Sequence, residues 1–112
     1  MTDGLRKLFP GTVDLLILKT LTQESMHGFQ VSRALRAKSD DVIVLKDAAL
    51  YQALHRMERQ GWVESQWGIS DAQKRAKFYS VTTAGDRRLE AEEKLFRRYA
   101  AAVLQVLEPR AG

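Results

Sequence analysis

The sequence predicts a mainly α protein with one small β-hairpin: three helices, two strands, then a single long helix. Three observations carry that prediction. Apolar residues recur at helical spacing in "TVDLLILKTLTQ", "MHGFQVSRALRAK" and "KDAALYQALHRMERQ". Two β-rich runs, "WVESQW" and "AKFYSVT", flank the polar, turn-like "GISDAQKR". A last helical segment, from about Thr83 to Leu107, spans on the order of 37 Å at the usual helical rise, longer than the core of so small a domain needs.

The first helix is expected over residues 12–23, with Pro10 and Gly11 punctuating its start and Thr12 as N-cap. Val13, Leu15, Leu16, Ile17, Leu18 and Leu21 cover more than one stripe, so this helix needs neighbours on two sides. A second helix follows over residues 26–38, with Phe29, Val31 and Leu35 as apolar anchors. Gly28 in its first turn costs roughly 1 kcal/mol relative to alanine, which points to close packing or a turn requirement. His27 beside it reads as an interhelical or capping residue.

"VIVL", residues 42–45, is β-branched and short enough for one small strand. The third helix runs from Asp47 to Gln60, with Gly61 as the residue just past its end. Leu50, Ala53, Leu54 and Met57 form its buried stripe. The hairpin is expected over 62–67 and 76–82. Thr82 or Thr83 caps the last helix, whose first half offers Glu90–Lys94 and Glu93–Arg97 as i, i+4 pairs. Its second half is apolar almost all round: Leu95, Phe96, Tyr99, Val103 and Leu107 among others. Such a helix requires a partner chain.

A length of 112 residues allows one domain with a modest core. No apolar run approaches the roughly 18 residues that span a bilayer, and no secretory signal opens the chain, so the cytoplasm is the default location. Zero cysteines exclude disulfides, thiol catalysis and thiolate metal sites together. His27 and His55 fall in no catalytic motif and show no metal-ligand spacing, so neither an enzyme nor a metal or cofactor is expected. The net charge of +4 and pI of about 9.6 suit a polyanionic partner.

Three helices followed by a two-stranded hairpin is the winged-helix plan, in which the third helix enters the major groove of DNA. On that plan the face opposite Leu50, Leu54 and Met57 meets the duplex. Small Ala48 and Ala49 let the helix N-terminus approach the backbone, where its N–H groups favour phosphate. Gln52 can pair with a base edge. His55 is either a DNA contact or a plain surface residue, and Arg56 and Arg59 suit phosphate. Tyr51 lies between the two faces, its ring packed and its hydroxyl outward. At the hairpin tip Lys74, Arg75 and Lys77 fit flanking phosphate or an adjacent minor groove.

Residues 1–82 then form the DNA-binding unit and residues 83–112 the dimerisation helix, with Leu16 of the first helix joining Leu95, Phe96, Tyr99, Val103 and Leu107. Phe96 and Tyr99 could instead sandwich a flat aromatic ligand at a symmetric interface. The competing reading in another class is a winged-helix module that binds protein rather than DNA.

"FPGTVDLLILKTL", "MHGFQVSRAL", "ALYQALHRMERQGWVES" and "RAKFYSVTTAG", in this order and spacing, resemble the PadR family of bacterial winged-helix transcriptional regulators over roughly residues 9–107. The resemblance implies a homodimeric repressor of double-stranded DNA with a pseudo-palindromic operator. Its C-terminal helices would build the dimer, and a small aromatic or hydrophobic effector often relieves repression. Tyr51 would be the recognition-helix tyrosine, and Arg75 and Lys77 the wing bases. Two positions depart from the family's habit. Ala48-Ala49 stand where Ser or Thr usually precedes the Leu-Tyr pair, and Gln52 stands where Pro commonly follows it.

Overall fold

A computed structural model of the chain describes residues 11–109. Among these residues four helices and one hairpin follow in the order α1 (Thr12–Leu21), α2 (Gly28–Lys38), α3 (Asp47–Arg59), β1 (Val63–Ile69), β2 (Arg75–Val81) and α4 (Thr83–Leu107). The fold is a winged helix with a long C-terminal helix. Pro10 lies outside the described residues. Gly11, rather than Thr12, is the N-cap of α1: Thr12 is already helical, and the Gly11 carbonyl accepts the Leu15 N–H at 3.4 Å, with Gly11 at φ 84, a region open to glycine.

One core joins the elements. Ile17, Leu18 and Leu21 of α1 meet Val31 and Leu35 of α2, the Leu50, Ala53, Leu54 and Met57 stripe of α3, and Val63, Tyr79 and Leu89. The two-sided apolar character of α1 has its explanation here: α2 packs on one side and α4 on another. Phe29 does not serve as an anchor. Val31 and Leu35 share a face with buried Gly28, while Phe29 lies about 200° around the helix from Val31 and is 62% exposed.

α2 begins at Gly28, two residues later than expected, because His27 caps it. The His27 side chain accepts from the Gln30 N–H while Gln30 Oε1 accepts from the His27 N–H at 3.0 Å, a reciprocal capping box. Met26 is thereby freed to pair with β2: the Met26 and Tyr79 backbones exchange bonds of 3.0 and 2.8 Å. The strand expected at residues 42–45 does not form. Met26 holds the place beside β2, and Ser39 Oγ takes the Ile43 N–H at 2.9 Å, which a ladder would otherwise claim. Only Leu45 of that segment enters the core, while Val42 and Val44 stay exposed.

The end of α3 and the start of α4 are joined. Gly61 at φ 80 closes α3: its N–H bonds the Glu58 carbonyl, and the Trp62 N–H bonds that of Met57. Thr82 caps α4 by accepting from the Gly85 N–H at 3.0 Å, and its hydroxyl donates to the Gly61 carbonyl at 2.6 Å. Gly85 is required by closeness. A Cβ there would overlap the Trp62 carbonyl oxygen.

Candidate nucleic-acid interface

The solvent face of α3 is what its period dictates. With Leu50, Ala53, Leu54 and Met57 turned to the core, Ala48, Gln52, His55 and Arg59 emerge together on the opposite side, all exposed. Ala49 is half-buried at the edge. No side chain caps the first turn, where the exposed Asp47 also sits. Tyr51 leans from the flank, 40% exposed, with its ring against α2. That contact explains Gly28: a Cβ there would stand 2.5 Å from the Tyr51 ring carbon and hydroxyl.

Arg56 is drawn away from this group. Its Nη1 and Nη2 donate to Asp14 Oδ2 and Oδ1 at 2.6 and 2.8 Å, a two-pronged pair from α3 to α1. The bond to Asp14 holds the guanidinium above its usual pKa, although burial works in the other direction. The phosphate contact expected of Arg56 thus competes with a partner already in place inside the fold.

The hairpin pairs antiparallel from Val63–Val81 to Ile69–Arg75. Val63 and Tyr79 anchor its base in the core, and burial pushes the Tyr79 phenol up, with the carboxylate of Glu58 adding to the effect. The same face continues outward as Trp67, Ile69, Arg75 and Lys77, since side chains two apart share a face. Arg75 lies over the exposed Trp67 ring at 4.4 Å and Lys77 approaches it at 5.8 Å. Lys77 also reaches Glu58 of α3 at 3.9 Å, and Ser65 Oγ donates to the other Glu58 oxygen at 2.6 Å. Glu58 therefore ties the wing to α3. Lys74 stands exposed in the turn, where its N–H meets Ser70 Oγ.

Between wing, α3 and the start of α2 lies a cavity of about 790 Å³, whose lining includes Tyr51, His55, Lys74, Arg75 and Lys77. Gln52 and Arg59 lie outside it on the same helix. The fold thus brings the wing cations beside the flank of α3. Phe29, Arg33 and Trp67 line this cavity too and were missed as site residues. Phe29 could have been found from its place off the Val31–Leu35 face. Trp67 could have been found from its register with Lys77.

The second cluster lies on α4. Its apolar half projects beyond the domain, with Leu95, Tyr99, Leu104, Val106 and Leu107 each more than half exposed. Phe96 and Val103 are half-buried, as is Leu16. A groove of about 430 Å³ between α1 and α4 is lined by Leu15, Leu16, Phe96 and Leu104, with Lys19 and Glu93 bridging its edge at 3.7 Å. Tyr99, exposed further round α4, is not part of that lining.

Comparison with known proteins matches residues 17–91 to the Transcriptional regulator PadR-like family. The chain belongs to the PadR-like family. An uncharacterized protein of Lysinibacillus sphaericus is 29% identical over 76 residues, covering 67% of this chain and 69% of its own. Among solved structures, a transcriptional regulator from Clostridium thermocellum superposes with a TM-score of 0.82 at 25% identity, covering 91% of this chain and 99% of that one. PadR family regulators from Eggerthella lenta and Clostridium difficile follow at TM-scores of 0.78 and 0.73, with 28% and 27% identity. They cover 96% and 88% of this chain, and 92% and 100% of their own.

The PadR-like chain is a DNA-binding regulator of transcription and not an enzyme. Among its described residues, no helix is long and apolar enough to cross a membrane.

Proposed function

We propose that this PadR-like chain is a homodimeric repressor acting in the cytoplasm on a pseudo-palindromic operator. Residues 1–82 serve as the reading unit and residues 83–112 as the dimerisation helix. The observation that carries this reading is the shared exposure of Gln52, His55 and Arg59 on α3, opposite a fully buried stripe and beside a basic wing. Gln52 offers an amide to a base edge, Arg59 a guanidinium to phosphate or guanine, and Ala48 a close approach. Lys74 and Arg75 meet the flanking backbone or minor groove.

Two such helices on one duplex need a second copy, and the uncovered apolar half of α4 supports one. Leu95, Tyr99 and Leu107 leave more apolar surface in water than a lone helix tolerates, and pairing with a second α4 covers it. A flat aromatic effector, held where Phe96 and Tyr99 of the two copies converge, would change the spacing of the recognition helices and release the operator.

The test is fluorescence anisotropy with DNA from upstream of the chain's own coding sequence, against a scrambled duplex, across a salt series. A preference of about a hundredfold or more, weakening steeply with salt, is the expected result. Loss of that preference in Gln52→Ala/Arg59→Ala, with the fold intact, ties it to α3. Equal weak binding to both duplexes counts against the reading, as does sedimentation of the free protein as a monomer.

A further inference from the structure

Two arginines rest on exposed aromatic rings at opposite walls of the cavity beside α3. On the α2 wall Arg33 lies over Phe29 at 5.7 Å; on the wing wall Arg75 lies over Trp67 at 4.4 Å. Tyr51 and His55 of α3 line the space between them. The rings are 62% and 55% exposed, so neither contributes to the core, and neither arginine has a carboxylate partner among the described residues.

A guanidinium stacked on a ring keeps its N–H fork at the rim, aimed away from the ring and free to pair with two oxygens of a phosphate. The lining carries four cations, Arg33, Lys74, Arg75 and Lys77, against one carboxylate, Asp71. α2 is the helix that crosses the backbone when α3 occupies the major groove, and wing residues line the same cavity as Arg33 of α2. We propose that this trough seats the sugar–phosphate backbone of one DNA strand, gripped by Arg33 from α2 and Arg75 from the wing. Phe29 and Trp67 are positioning residues that hold the two guanidinium groups. The inference rests on the DNA-binding reading above and adds Phe29, Arg33 and Trp67 to it.

Phosphate contacts are indifferent to sequence, so the probe is a labelled mixed-sequence duplex of about 30 base pairs, titrated with the full chain from about 50 to 250 mM salt. Arg33→Ala and Arg75→Ala are each expected to reduce the salt slope by about one. Phe29→Ala and Trp67→Ala should weaken binding about three- to fivefold. Trp67→Ala should add little on the Arg75→Ala background, where only Lys77 still meets its ring, and Phe29→Ala nothing on the Arg33→Ala background, while Trp67→Phe should restore most of the loss. Arg33→Gln, at an exposed position, carries the α2 arm even if Phe29→Ala does not fold.

An unchanged slope in both arginine variants, or fully additive losses in the paired variants, overturns the proposal. Wild-type protein that binds the duplex at no salt concentration overturns the DNA reading as well. Wild-type binding with indifferent variants sinks the trough alone.

Discussion

Asp14 and Arg56 stand 42 residues apart in the chain and meet through two hydrogen bonds of 2.6 and 2.8 Å, fastening α3 to α1. The pair is partly open to solvent, with side chains 23% and 43% exposed, so its contribution belongs near the upper end of the exposed range, about 1 kcal/mol. Asp14→Ala and Arg56→Ala should each destabilise the protein by about that amount, and the double variant by less than the sum. Urea denaturation of the cycle measures it. In the salt series Arg56→Ala should keep the wild-type slope, whereas a residue bound to phosphate would lower it by about one.

Thr82 and Gly85 lock the α3–β1 turn to α4. Thr82→Val removes both the cap on α4 and the bond to the Gly61 carbonyl, at an expected cost of about 1–2 kcal/mol. Gly85→Ala should cost about 3 kcal/mol or more. Its Cβ meets the Trp62 carbonyl oxygen, which is itself bonded to the Thr82 N–H at 3.0 Å and has no room to withdraw. Denaturant midpoints rank the two, and a Gly85→Ala protein as stable as wild type contradicts the packing described.

Gly28→Ala is expected to separate stability from binding. The inserted Cβ strikes the far end of the Tyr51 ring, which can swing outward, and alanine favours the helix by about 1 kcal/mol over glycine. The thermal midpoint should therefore move little. The displaced ring lies in the trough beside His55, so affinity for duplex DNA should fall while the fold survives. Calorimetry and anisotropy on the same preparation read both, and a variant with unchanged affinity removes Tyr51 from the interface.

Glu93 links α4 to α1 through Lys19 and pairs with Arg97 along its own helix at 2.8 Å. The bond from Arg97, then the charge of Lys19, holds its carboxyl below the ordinary value of 4.5. A carboxyl depressed in the folded state contributes stability that is present above the ordinary glutamate range and is lost as pH falls toward the depressed value. A carboxyl-carbon NMR titration should place Glu93 below the ordinary range. Arg97→Gln should return most of the shift, with Lys19 keeping a smaller part.

The elements were legible because each is signalled within a few residues. The Leu50–Met57 period, the Gly61 stop, the Thr82 cap and the Glu90–Lys94 and Glu93–Arg97 pairs all depend on neighbours less than two helical turns away, and all stand in the structure. The family's motifs acquire physical reasons from contacts across the fold. The Gly after His27 makes room for Tyr51, and the Thr-x-x-Gly after the wing joins a cap to a close approach.

Local signals failed where a distant group competed for the same residue, or where composition was read without the phase of the helix. "VIVL" has the composition of a strand, yet Met26 takes the place beside β2 and Ser39 takes the Ile43 N–H. Phe29 has the character of a core residue, yet the phase of α2 turns it to solvent above Arg33. Arg56 shares a helix with Gln52 and Arg59, and its pairing with Asp14, 42 residues away, has no signature in local spacing. By itself the sequence determined the order of elements, the buried stripe of α3 and the charge of the wing, since period, caps and composition are written along the chain. Only the tertiary structure decided which exposed groups face one another across the trough and which cation of α3 pairs with α1, because those pairings depend on where separate helices come to rest.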